Sequence, residues 1–232
     1  MYWCLHNNEV IFSFLGHSDS ITSICLSPIT DLFITTSRDK TSRLWDLKER
    51  KCLCIFQESN HAVFDDTGKV IASVTFENDK SQEKIINYVN LYATESVLNG
   101  PFKVFKIDSG NEIKEIKFSN DGNFLICTTI DNVILVVDSF EGKIFKKLQA
   151  EINESDLLFK ADISADSKFV VSGSESGKLY IWNVFDGELV STLDCHPQPT
   201  TFVKFSPKHC LLASTCKRLV LWHPDMKNYT NS

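Results

Sequence analysis

The chain has 232 residues, 43% apolar, 11% aromatic and 23% charged; it is long enough for a sizeable core and too apolar and aromatic for disorder. Its net charge of −6 gives no overall attraction to nucleic acid, and no uninterrupted apolar run approaches the ~18 residues of a membrane span. The eight cysteines lie mostly inside apolar runs such as SICLS and FLICTT, as small buried hydrophobes of a reducing compartment do.

Residues 1–15, MYWCLHNNEVIFSFL, lack the basic flank and small-residue cleavage site of a secretory signal. They contain two short strand-like runs, about 1–5 and 10–15. Residues 16–57 predict four strands, at roughly 21–27, 32–37, 41–46 and 52–57, separated by turn-forming clusters. The segments 58–107, 108–149, 150–193 and 194–224 repeat that grammar, and 225–232 is a polar tail. Two stretches lengthen the pattern, 76–85 (FENDKSQEKI) and 93–101 (ATESVLNGP), and such excursions serve either as partner loops or as tolerated insertions.

The repetition shows in two series. LSPITDLFI (26–34), FDDTGKVIA (64–72), FSNDGNFLI (118–126), ISADSKFVV (163–171) and FSPKHCLLA (205–213) each read as strand, tight turn, strand. SRLWDL, VNLYAT, ILVVDS, LYIWNV and LVLWHP follow them and place a key residue at Trp45, Tyr92, Val137, Trp182 and Trp222. The intervals of 47, 45, 45 and 40 match the four-stranded period of a propeller blade. Trp3, 42 positions before Trp45, marks the closing strands of a preceding blade. Runs such as VILVV and LVLW are apolar on both faces, as in a strand sandwiched between blades. The expected fold is therefore all-β, with about five blades and a partial one at the start.

Two kinds of chemistry are open for the polar residues. Ser37, His17 and Asp39 have the residue types of a hydrolase triad. Equally, a buried aspartate needs donors, and His, Ser and Trp side chains supply them, so the set can pin a turn between strands. The other repeats hold partial copies: Thr129 and Asp131; Ser174 and Ser176 before Trp182; and His196, Ser214 and Trp222 with Cys216 in place of Asp. Copies spread through a repeat favour a stabilising device over one active site. For metal, Cys52 and Cys54 form C-x-C, and Cys195-His196 and His209-Cys210 lack a second spaced pair, so no metal or other cofactor is expected. The sequons at Asn153 and Asn228 carry little weight without a secretory signal.

The run from GHSDSITSICLSP to SRDKTSRLWD resembles the WD-repeat β-propeller signature. The resemblance implies a buried structural tetrad of His17, Ser37, Asp39 and Trp45, and interaction residues just before each turn Asp on the top surface: Arg38 with Lys40, Ile130, Glu175 and Thr215. A fixed guanidinium fork at Arg38 suits phosphate, although Arg38 and Lys40 also read as solvated turn residues. GPFKVFKI (100–107), residues 116–143 with VDSFEG, 164–183 and 205–224 are similar to one branch of that family. It is the subunit shared by a SET-domain histone H3 lysine methyltransferase complex and RNA 3′-end-processing or phosphatase assemblies.

That branch implies a nuclear, non-catalytic scaffold whose partners are protein subunits and the phosphorylated C-terminal domain of RNA polymerase II, with no direct nucleic acid and no membrane. An adaptor of another pathway, such as a ubiquitin-ligase receptor, is the alternative. The branch has seven blades, so the chain reads as an incomplete ring, from a truncated product, an isoform or a partial gene model. Either strand 10–15 completes the last blade and closes a ring of five, or an open arc exposes Trp3, Leu5, Phe12 and Phe14 at one end and Val220, Leu221 and Trp222 at the other.

Overall fold

The computed structural model describes residues 1–79, 84–149, 157–194 and 196–223, in two compact units, Met1–Asp108 and the chain from Ser109 onward. The tail 225–232, both sequons and Cys195 lie outside the described residues.

In the first unit, β1 (Tyr2–Cys4) and β2 (Glu9–Phe12) form a two-stranded antiparallel ribbon. The next four strands, β3 (Ile21–Leu26), β4 (Leu32–Ser37), β5 (Thr41–Asp46) and β6 (Lys51–Gln57), make a four-stranded meander. A second meander holds β7 (Ser59–Phe64), β8 (Val70–Asp79), β9 (Lys84–Ala93) and β10 (Lys103–Gly110), with a short 3-10 helix, Thr94–Asn99, between the last two.

The second unit contains β11 (Ile113–Phe118), β12 (Phe124–Thr129), β13 (Ile134–Asp138) and β14 (Ile144–Leu148) in one sheet. Next come β15 (Ala161–Ile163), β16 (Phe169–Gly173), β17 (Lys178–Asn183) and β18 (Leu189–Asp194). The last sheet is three-stranded among the described residues: β19 (Phe202–Phe205), β20 (Leu212–Thr215) and β21 (Leu219–Trp222).

The first repeated series marks the turn between first and second strands. Ser119 Oγ accepts the Phe124 N–H at 2.9 Å and Ser164 Oγ accepts the Phe169 N–H at 3.0 Å, while Asp65 Oδ1 accepts the Val70 N–H at 2.8 Å. A side-chain oxygen thus takes a donor that the ladder leaves over at the bend. The turn needs one left-handed residue, supplied by Gly68 (φ 68°) and Gly122 (φ 73°), and by Ser167 (φ 58°) where no glycine stands.

Inner strands are buried on both faces, as β4 and β12 show from their second residue onward. Ile34 and Leu44 meet Ala62, Phe64 and Ile71 between the two sheets of the first unit. In the second unit Ile126, Ile134 and Val136 pack on Val170, Tyr180 and Trp182, and Val171 and Leu179 pack on Val203 and Leu212. Each such aliphatic side chain contributes roughly 1.5–3 kcal/mol on burial. A buried hydroxyl chain reinforces the first junction: Thr36 to Ser42 at 2.9 Å, Ser42 to Ser59 at 2.8 Å and Ser59 to Ser73 at 2.9 Å.

Three expectations change. Residues 76–85 do not form a loop along their length, because β8 and β9 stay paired from Val70↔Ala93 to Asp79↔Lys84. Strand 10–15 ends at Phe12 and pairs with β1, so β2 is not the fourth strand of the last sheet. Phe14 leaves the strand to pack edge-on against Phe33 and Trp45, with centroids 4.9 and 5.6 Å away. Burying that ring on two aromatics outweighs one more ladder step.

Candidate functional site

At one end of the first four-stranded sheet the polar side chains join into a single chain of hydrogen bonds. The Trp45 indole N–H donates to Thr35 Oγ1 at 2.8 Å, Thr35 Oγ1 lies 2.7 Å from His17 Nε2, and His17 Nδ1 lies 2.9 Å from Asp39 Oδ2. The tautomer with its proton on Nδ1 satisfies every group, since the carboxylate only accepts and Thr35, already accepting from Trp45, turns its own proton to Nε2. Asp39 also accepts from the Ser18 N–H at 3.0 Å and from the Thr41 N–H and hydroxyl at 3.0 and 2.7 Å. Burial by itself would raise the Asp39 pKa; the bonds from Thr41, Ser18 and His17 more than offset it and hold the carboxyl well below the usual range.

The hydroxyl in this set belongs to Thr35, not to Ser37. Trp45 stands opposite Phe33, and its indole reaches the diagonal neighbour on the same face, Thr35. Ser37 is four residues beyond Phe33, about 13 Å along the strand, and out of reach. Its hydroxyl instead donates to the Asp19 carbonyl at 3.1 Å and accepts the Asp39 N–H at 3.2 Å, fixing the turn.

The same division recurs. Trp222 donates to Ser214 Oγ at 2.9 Å, with His196 Nε2 3.1 Å away, whereas Thr129–Asp131 (2.6 Å) and Ser174–Ser176 (3.0 Å) are turn pairs like Ser37 and Asp39. The register of the sheet, invisible in residue types, separates the two roles.

The connectivity Thr35–His17–Asp39 is that of a nucleophile, base and acid. Thr35, however, is 5% exposed, sits mid-strand between paired neighbours and has its oxygen engaged by the indole N–H. Ser37 is 4% exposed and makes no hydrogen bond to His17, so the Ser37 triad is not assembled. Beside the set lies a cleft of about 540 Å³, walled by Phe14, Leu15, Ile21, Ile24, Leu26 and Phe33. Of the cysteines, Cys127 is fully buried and its thiol is pushed up to about 12 by that burial. No group of three or more potential metal ligands gathers among the described residues.

The family model "WD domain, G-beta repeat" matches residues 8–46 and 187–223, and that of the "Anaphase-promoting complex subunit 4 WD40 domain" matches 98–165. WD repeat-containing protein 82 of Drosophila melanogaster is 36% identical over 228 residues, which cover 96% of this chain and 69% of that protein. The chain belongs to the WD-repeat β-propeller family.

Two further relatives carry Set1-type names. COMPASS component SWD2 of Saccharomyces cerevisiae is 27% identical over 242 residues, covering 100% of this chain and 68% of its own length. Set1 complex component swd2 of Schizosaccharomyces pombe is 29% identical over 188 residues, covering 76% and 50%. The chain thus spans half to about seven tenths of the length of these relatives.

In this WD-repeat chain the sheets are blades, and the second-to-third-strand turns carry the residues expected to bind. Arg38 and Lys40 flank Asp39 in the first, both exposed, with no side-chain hydrogen bond or ion pair among the described residues. Lys40 holds the left-handed conformation (φ 61°), and the Arg38 N–H is anchored on the Ser20 carbonyl at 3.0 Å. Ile130 is exposed, and Glu175 and Thr215 are half-buried, in or beside the matching turns of three blades of the second unit.

Proposed function

We propose that this chain is a non-catalytic scaffold subunit of a nuclear histone H3 lysine methyltransferase complex of the Set1 type. The observation that carries this reading is the alignment of the whole chain with a protein named as a COMPASS component. The geometry supports it, since the hydroxyls of Thr35 and Ser37 and the imidazole of His17 are engaged in bonds that tie strands and turns together. What remains for partners is the surface, including the rigidly held turn with two outward cations, Arg38 and Lys40. A planar guanidinium presented from a fixed backbone suits a phosphorylated peptide, and the phosphorylated polymerase tail is the ligand the branch implies.

The test is to tag the chain at its own locus and identify what co-purifies. SET-domain methyltransferase subunits are the expected result; ubiquitin-ligase subunits, or none of the methyltransferase, 3′-end-processing and phosphatase components, would overturn the proposal. For the surface, a phosphorylated tail peptide is titrated against wild type and Arg38→Glu. Weaker binding by the variant is expected, and equal affinity removes Arg38 from the site.

A further inference from the structure

We propose that β18, the outermost strand of its blade, is an edge to which a partner protein adds an extended segment, apolar in its middle and flanked by lysine or arginine. The blade β15–β18 is covered on both faces inside its own unit. Val170, Tyr180 and Trp182 pack on Ile126, Ile134 and Val136, and Val171 and Leu179 pack on Val203 and Leu212. What this blade still exposes is an edge, because β18 pairs with β17 on one side and ends the sheet on the other. Backbone donors and acceptors on the outer side of such a strand are met in full by another extended chain, which makes an added strand the fitting occupant.

The outermost strands of the four-stranded blades differ in how that edge is guarded. Lysine, whose charge an incoming strand would crowd, stands in β6 (Lys51), in β10 (Lys103 and Lys106) and in β14 (Lys146 and Lys147). β18 reads LVSTLD and has no lysine, arginine or proline. A bulge opposite Trp45, Val137 and Trp182 bends β6, β14 and β18 alike, so it does not set β18 apart, and past it Ser191–Asp194 stay in regular pairing. Leu189 and Val190 are 49% and 55% exposed on this strand, and Thr192 is exposed beyond them.

Two features specify the incoming segment. At the start of β18 aromatic rings of two blades meet: the Phe124 centroid lies 5.4 Å from that of Phe145 and 6.3 Å from that of Phe185, and both partners are exposed. Leu189 and Val190 follow that cluster along the chain, so an apolar middle suits the segment. The charges around the edge are acidic. Asp186 and Glu188 precede β18 and Asp194 ends it, all exposed and without an ion pair among the described residues. Lys178 stands opposite Asp194 on β17, and Lys146 reaches the Gly187 turn from β14 with its ammonium 5.5 Å from the Phe145 ring centroid; neither is ion-paired with these carboxylates. Cations at both ends of the segment complement this rim, and the same cations meet lysine at β6, β10 and β14.

The probe is a fluorescein-labelled peptide, Lys-Val-Thr-Val-Thr-Val-Lys, blocked at its C-terminus and titrated against the full chain by anisotropy, with amide hydrogen exchange to locate it. Saturable binding that slows exchange in residues 189–194 is expected. Binding should be lost in the double variant Leu189→Lys, Thr192→Lys, which keeps cooperative unfolding because both positions are exposed. On the unaltered protein, a peptide with both lysines replaced by glutamate should bind about tenfold more weakly, and one with its central valine replaced by proline, which cannot donate to a ladder, should not bind. Absent binding, equal affinity for the double variant or the glutamate peptide, or protection at another edge overturns the proposal. A mass that rises with concentration in wild type and not in the double variant would show β18 pairing with its own copy, and overturns the choice of partner.

Discussion

The blade β3–β6 and the blade β19–β21 hold their tryptophans in the same way and their turns in different ways. In both, the indole N–H donates to a hydroxyl that also meets a histidine: Thr35 and His17 in one, Ser214 and His196 in the other. Among the described residues the first continues to a carboxylate, Asp39. The hairpins explain this. Phe33 pairs with Trp45, a separation of 45 − 33 = 12, whereas Leu212 pairs with Trp222, a separation of 222 − 212 = 10. The longer turn has a donor at Thr41 and carries Asp39 within reach of the Ser18 N–H before β3, and the Asp39 carboxylate takes both. The other hairpins of the longer kind, Leu125↔Val137 and Val170↔Trp182, bring their own turn pairs, Thr129–Asp131 and Ser174–Ser176. The tryptophan–hydroxyl bond therefore belongs to the sheet, and the aspartate belongs to the length of the turn.

The most severe way to break this contrast is Asp39→Ala, which strands the donors of His17, Ser18 and Thr41. It is expected to destabilise by roughly 2–4 kcal/mol in denaturant unfolding, and an unchanged midpoint would remove the carboxylate from the device. The sign of its pH dependence follows from a pKa held below the usual range. Its contribution is complete above the unfolded value, about 3.9, and is lost as pH falls from there through the lower folded value. Unfolding of wild type and Asp39→Asn followed down the acid limb should converge, and a difference that widens as pH falls contradicts the assignment.

Thr35→Val keeps the shape and removes the central hydroxyl, leaving the Trp45 N–H unpaired. About 2 kcal/mol is expected, against about 1 kcal/mol for Ser37→Ala, whose hydroxyl makes turn contacts only. The reverse order would return the central role to Ser37. Ser214→Ala, which removes the acceptor of a half-buried Trp222, should cost about 1 kcal/mol by the same measurement. A loss as large as that of Asp39→Ala would show the last blade to be no simpler than the first. Arg38→Glu changes an exposed turn side chain and should shift stability by less than about 0.5 kcal/mol; a larger loss would place Arg38 in the fold and not on its surface.

The period of Trp45, Tyr92, Val137, Trp182 and Trp222 and the turn clusters between apolar runs determined the blades. The four strands expected in residues 16–57 lie within a residue or so of those observed, because alternation and turn chemistry are local. His17, Asp39 and Trp45 could be singled out for the same reason, as rare polar or aromatic types at repeated places. Register could not be read this way. Thr35 and Ser37 are both small hydroxyls on the same face of one strand, and only the pairing of Phe33 with Trp45 decides which one the indole reaches. Packing likewise decided that Phe14 turns inward onto Phe33 and Trp45 while Ile24, Leu26, Leu219 and Leu221 stay exposed. An apolar strand residue has the same local signature whether or not a neighbouring sheet covers it, and covering is a property of the assembled blades alone.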